Sequence, residues 1–306
     1  MRFTAATGSL FIACSLSACG GGGSPISTPT PPATPTPTQA NSTLVNPQFS
    51  EAFEGRGSIN KFTLAKTTGA VTARQAMTNR QIDVRYDAAS SSYTISTGDL
   101  ADSTFGPANR DAASSTASST AYSKSAGTRT EDLILLNPGP SNTRLPLTYA
   151  SYGGWQSLTD NGVSIESSTV FFVYGVKTRQ ADLPVSGTAN YQTIIDGLFA
   201  GTSGVYVLNG TSSFSANFGA GTVAFSMAPT GVHILDGSTK NFGSLSGTGT
   251  INAGAASFDA SAPANGGYSA SLLGKFYGPS AAEVGGTFLL NGADGQGNGV
   301  LIGKKN

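Results

Sequence analysis

Along much of the chain, apolar and polar residues alternate one for one. Ile82, Val84 and Tyr86 are spaced by single polar residues, as are Tyr93 and Ile95, which puts each set on one face of a strand. Between them, Asp87-Ala88-Ala89-Ser90-Ser91 has the composition of a hairpin loop. The same period returns in Phe214, Ala216, Phe218; in Val223, Phe225, Met227; in Tyr268, Ala270, Leu272, Phe276; in Phe288, Leu290; and in Val300, Ile302. Turn residues separate these runs, among them Gly219-Ala220-Gly221, Gly278-Pro279-Ser280 and Asp294-Gly295-Gln296-Gly297-Asn298-Gly299. The spacing predicts an antiparallel meander of about eight strands over 183–306, and closing it into a barrel removes its exposed edges. A membrane-embedded barrel needs a lipid-facing apolar band and aromatic girdles. The outward positions here are mostly Ser, Thr, Asn and Gly, so the barrel reads as water-soluble.

Composition agrees. Charged residues make up only 11 % of the chain, glycine accounts for 40 of 306 residues, and no long stretch carries a 3.6-residue apolar stripe. The fold class expected is all-β, with an N-terminal antiparallel sheet domain over 45–182 and a C-terminal eight-stranded antiparallel β-barrel over 183–306. Within the first of these, Ala112 to Thr130 is rich in Ser, Thr and Ala and reads as a long exposed loop. Acidic and basic residues number 17 each, and the only basic pair of note is Lys304-Lys305. Nucleic acid would therefore meet no electrostatic footprint.

The N-terminus is of a different kind. Arg2 precedes a short apolar run from Phe3 to Ala18, too short for a membrane span of about 20 residues, and Leu16-Ser17-Ala18-Cys19 closes it. This is a lipoprotein signal: 1–18 is the leader and Cys19 the acylated first residue of the mature chain. Cys14 leaves with the leader, so disulfides, Cys-based metal sites and Cys nucleophiles are excluded from the folded part. Two or three acyl chains, at about 0.8 kcal/mol per buried CH₂, anchor such a protein firmly. Gly20 follows the cysteine, which points to the outer membrane. From 19 to 44 the chain is a Gly-, Pro- and Thr-rich linker, a semi-stiff spacer rising about 3.1 Å per residue.

Chemistry is sparse. His233 is the single histidine, and although Asp236 lies close by, nothing resembles a nucleophile motif, so an enzyme is not expected. The Asp294–Gly299 segment lacks the spaced carboxylates of a calcium loop, and Gly247-Thr248-Gly249 lacks the rest of a dinucleotide fingerprint. No metal site and no cofactor is expected. Trp155 with Tyr149, Tyr152 and Tyr174 is the candidate ligand-binding cluster, since such side chains dominate hot spots; the same residues also suit an ordinary core.

One stretch carries a resemblance. Gly274-Lys275-Phe276-Tyr277-Gly278-Pro279-Ser280-Ala281-Ala282-Glu283-Val284-Gly285-Gly286-Thr287-Phe288 resembles the hairpin near the end of the β-barrel of transferrin-binding protein B, a barrel shared with factor H-binding protein. Leu183 to Tyr191 resembles the start of that barrel and Gly299 to Lys305 its closing strand. More loosely, Tyr149 to Trp155 and Phe172 to Gly175 resemble segments of the handle domain that precedes it in single-lobe relatives. The resemblance implies a handle plus barrel, an outer-membrane lipid anchor with cell-surface display, and non-catalytic capture of a host or environmental protein, such as a transferrin-like one, or of an iron or haem source. Haem, if bound, would be held by His233 or a handle tyrosine. Within the motif, Glu283 is expected to satisfy turn amides, and Gly285 and Gly286 to permit close backbone approach. The alternative is a structural envelope lipoprotein without a dedicated ligand.

Overall fold

The computed structural model describes residues 39–306, which form one compact unit. The leader, Cys19 and most of the linker lie outside the described residues. Packed chain begins before residue 45, because Asn41 and Leu44 are already buried. The Asn41 side chain accepts from the Gln48 and Phe49 amides, and Leu44 joins the core of the first sheet.

That first sheet, the handle, has nine antiparallel strands: β1 (Glu51–Ala65), β2 (Val71–Asp87), β3 (Ser92–Ser96), β4 (Ser103–Phe105), β5 (Arg110–Asp111), β6 (Ser119–Ala126), β7 (Arg129–Leu136), β8 (Ala150–Asp160) and β9 (Ser164–Gly175). The spatial order is β4-β3-β2-β1-β9-β8-β7-β6-β5. Its two edge strands are joined by the short turn at Pro107–Asn109, so the sheet must curl until its edges nearly meet. Lys124 on β6 reaches across the gap to the Thr104 carbonyl at 2.9 Å. The predicted β2–β3 hairpin is present, pairing Val84 with Ile95 and Tyr86 with Tyr93.

The expected loop at Ala112–Thr130 is instead largely strand, since β6 and the start of β7 occupy it. On β6 only Ala121 is buried; Thr120 donates to Asn137, Ser123 to Asp132, and Ser125 pairs with Thr130. Tyr122, on the opposite face, is its one apolar contact with the handle core, so the strand carries little apolar alternation.

The second sheet comprises β10 (Thr188–Gly201), β11 (Gly204–Asn217), β12 (Thr222–His233), β13 (Thr239–Asn241), β14 (Leu245–Asn252), β15 (Ser257–Asn265), β16 (Tyr268–Tyr277), β17 (Glu283–Gly292) and β18 (Gly295–Lys305). β10 pairs with β18 and β11 pairs with β12, so eight strands close into a barrel while the three-residue β13 adds to β12 at one mouth. Phe214, Ala216, Val223, Phe225, Met227, Leu272, Phe276, Phe288 and Leu290 fill the interior. Ser226, Thr248, Thr250, Asp259 and Ser261 are polar residues on the outward side of β12, β14 and β15.

Val300 and Ile302 do not face that interior. They point outward and bury against Leu136, Leu145, Leu147 and Val173 of the handle, while Leu301 points inward. Where the handle covers it, β18 is therefore buried on both faces. Asn298, wholly buried, donates from Nδ2 to the carbonyls of Ser58 and Thr169 across the same junction.

Candidate interaction face at the handle–barrel junction

The two ends of this assembly differ in chemistry. β1 spans 15 residues, about 50 Å at the usual rise. At its start the chain enters the fold beside the joint between handle and barrel. There Glu283, only 3 % exposed, accepts from the amides of Thr148, Tyr149 and Ala150 at 2.6, 2.9 and 2.8 Å. Burial holds this carboxyl above its usual pKa against the pull of the three amides. Gly278, at φ +70°, leaves no room for a Cβ because the Tyr149 ring packs on it, and at Gly285 a Cβ would run into Val173 of β9. The hairpin motif singled out in the sequence is thus the clamp that seats the barrel on the handle, and the amides Glu283 satisfies come from the handle itself.

At the other end, four aliphatic side chains stand together on the outside of the barrel. Val207 pairs across strands with Val232, and the Ile234 amide donates to the Val205 carbonyl. Val205 is covered by Phe62, Leu64 and Val71 of the handle, but Val207 is 51 % exposed and Ile234 46 %. Leu235, 63 % exposed, lies over Gly69 in the β1–β2 turn, so the apolar surface bridges both domains. Val207 also lines a cleft of about 490 Å³ between the handle and β10–β11. Its apolar wall is Ile134, Phe171, Leu198 and Val207, and Ile134 is itself exposed. Its polar wall is Arg144, Tyr152 and Asp196: Arg144 ion-pairs with Asp196 at 2.7 Å, and the Tyr152 hydroxyl donates to Asp196 at 2.6 Å. Burial, reinforced by that carboxylate, raises the Tyr152 pKa, so its hydroxyl stays a donor.

The structure does not gather the four sequence-predicted aromatics into one exposed patch. Trp155 is fully buried in the handle core with Ile82, Leu133, Val170 and Phe172, and Tyr174 packs there on Phe53 and Phe172. Tyr152 lines the cleft and Tyr149 sits at the clamp. The reason is strand register: Trp155 is on the inward face of β8, opposite Val170 of β9. Cys19, the lipidation candidate, lies outside the described residues. The aliphatics of the far-end face were missed, although Val205-Tyr206-Val207-Leu208 and Val232-His233-Ile234-Leu235 break the alternation with runs apolar on both faces.

His233 and Asp236 do come together, Nδ1 lying 2.8 Å from Oδ1, but as a turn brace: Asp236 also accepts from the Ser238 amide, and these bonds, Ser238 first and His233 after, hold it down at about 2. Three of the side chains named for haem are otherwise engaged. His233 Nε2 is buried against Gly204, the Tyr152 hydroxyl is engaged by Asp196, and Tyr174 is inside the core. Among the described residues, no group of three or more His, Cys, Asp or Glu is placed to hold a metal ion.

The fold is a curled sheet clamped to a closed, side-chain-filled barrel. Residues 183–305 match the family of C-lobe and N-lobe β-barrels of transferrin-binding protein B, and the barrel of this chain is of that kind. Comparison with curated proteins finds no significant match. Among solved structures, the chain is similar to a double mutant of transferrin-binding protein B from Haemophilus parasuis Hp5, with 13 % identity, 81 % of this chain and 44 % of that one covered, and a TM-score of 0.47. It is similar also to isotype 1 transferrin-binding protein B from serogroup B Neisseria meningitidis (17 %, 81 % and 43 %, TM-score 0.43). A third is the N-lobe domain of lactoferrin-binding protein B from Moraxella bovis (15 %, 82 % and 99 %, TM-score 0.38). The chain thus spans less than half the length of the first two.

Proposed function

We propose that this protein is a lipid-anchored lipoprotein of the outer membrane, displayed at the cell surface, that captures a host protein without catalysis. The observation that carries the binding role is the exposed apolar face of Val207, Val232, Ile234 and Leu235 beside the cleft. Apolar side chains clustered at this exposure, bordered by an ion pair, are the surface a protein partner buries. The barrel family supports the class of partner, since relatives bearing this barrel are named for binding transferrin and lactoferrin. The chain enters the fold at the clamp end, so an anchor on Cys19 leaves the apolar face about one strand length away from the point of attachment.

Two experiments test this. Cys19→Ala is expected to move the protein from the detergent phase to the aqueous phase on phase separation; retention with lipid still attached would reject the anchor. Val207→Asp with Ile234→Asp places charge on the exposed face without touching either core. The doubly substituted protein is expected to unfold with an unchanged midpoint yet to pull down no transferrin, lactoferrin or other serum protein that the wild type retains. Equal capture by both would reject the face as the binding surface.

A further inference from the structure

At the far mouth of the barrel, an ammonium group is held in a cage of aromatic rings. Lys240 projects from β13 inward over the mouth, and its Nζ lies 5.4 Å from the ring centre of Phe199, 5.6 Å from those of Tyr206 and Phe242, and 5.8 Å from that of Tyr268. Each is within the range of a cation–π attraction. The same Nζ donates to the Asp294 carboxylate, which also accepts from the Tyr268 hydroxyl at 2.9 Å. From the handle, Arg74 donates to the backbone carbonyl of Asp294 at 2.8 Å, which ties the turn that carries the carboxylate to the handle. Desolvation opposes the charge on Lys240, but Asp294 and Tyr268 outweigh it and hold the ammonium above its ordinary pKa.

What carries this lysine is a strap, residues 234–244, held to the barrel by the three pairings of β13 with Thr230, Gly231 and Val232 and by Phe242, whose ring packs tilted against Phe199 at 4.7 Å. Four rings and a carboxylate converging on one point form an ammonium site, and three β pairings alone make a weak seam. We propose that this cage is an ammonium-binding site that the chain fills with its own Lys240, latching the strap across the barrel mouth. The strap begins at Ile234, whose amide is held by the Val205 carbonyl, and the latch closes its other half. It stands on this geometry and not on the identity of any partner.

The test uses the full chain in detergent. Lys240→Ala vacates the cage, and methylammonium chloride is expected to raise the unfolding midpoint of that variant saturably, while sodium chloride at equal ionic strength does not and the wild type, its cage already filled, does not respond. In Lys240→Met, which keeps the apolar stem, amide hydrogen exchange over 239–242 is expected to quicken about tenfold, with β16 and β17 unchanged. The Met variant decides the matter should the Ala variant fail to fold. No saturable response to methylammonium in Lys240→Ala, an equal response in the wild type, or unaltered exchange of the strap in Lys240→Met would each overturn the proposal.

Discussion

Replacing Phe276 by alanine is expected to destabilise the protein by about 3–5 kcal/mol, the range for deleting a fully buried phenyl ring. The ring has no solvent exposure and lies between Tyr191, Phe218 and Phe258, at centroid distances of 6.5, 5.5 and 5.5 Å. Its own backbone is fixed on both sides, the amide donating to Ala256 and the carbonyl accepting from Thr178, so the strand cannot shift to fill the hole. Denaturant unfolding of the 39–306 unit measures the loss. A value below about 1 kcal/mol would put the ring outside the barrel and slip β16 by one residue.

The second large effect belongs to Glu283. Its carboxylate is the acceptor for three handle amides, and alanine would leave all three without it at a buried joint, at about 1–3 kcal/mol for each donor that water fails to reach. A total loss of about 3–5 kcal/mol is expected. Because Glu283 joins the handle to the barrel and fills neither core, the loss should fall on their coupling. Calorimetry is expected to show one transition for the wild type and two for Glu283→Ala, with the barrel transition the less affected. A single transition at the wild-type temperature would show that the clamp contributes nothing. Glu283→Gln, which keeps one carbonyl oxygen and introduces an amide N–H₂ against backbone donors, should fall between the two.

The barrel was legible in the sequence because its inward face follows a strict period of two against small or polar outward positions, as in Val223, Phe225 and Met227 between Thr222, Ala224 and Ser226. Glu283 could be read as a ligand for backbone amides because a carboxylate between turn glycines has few other uses. That the amides belong to the handle was not legible, since residues 148 and 283 are distant in the chain. Period two also says nothing about which face of a strand meets a second domain, so that Val300 and Ile302 turn to the handle was not legible. Of the two readings open for the aromatic residues, residue type cannot choose: it marks Trp155 as a capable anchor, but only the pairing of β8 with β9 decides that it points inward. β6 escaped notice because a segment of Ser, Thr and Ala looks like a loop, and its two apolar contacts, Ala121 and Tyr122, are adjacent and so fall on opposite faces. The Lys240 cage gave no signal at all, its four rings coming from four separate strands or loops.

The claim that the far-end face captures the partner is tested most directly by the hydrogen-exchange footprint of the captured complex. Binding is predicted to slow exchange at 205–208, 231–236 and 132–136, around Val207, Ile234 and Ile134, and to leave the clamp at 148–150 and 278–283 as it is in the free protein. Protection centred on the clamp end, or a complex that forms with no change at 205–208 and 231–236, would contradict the account.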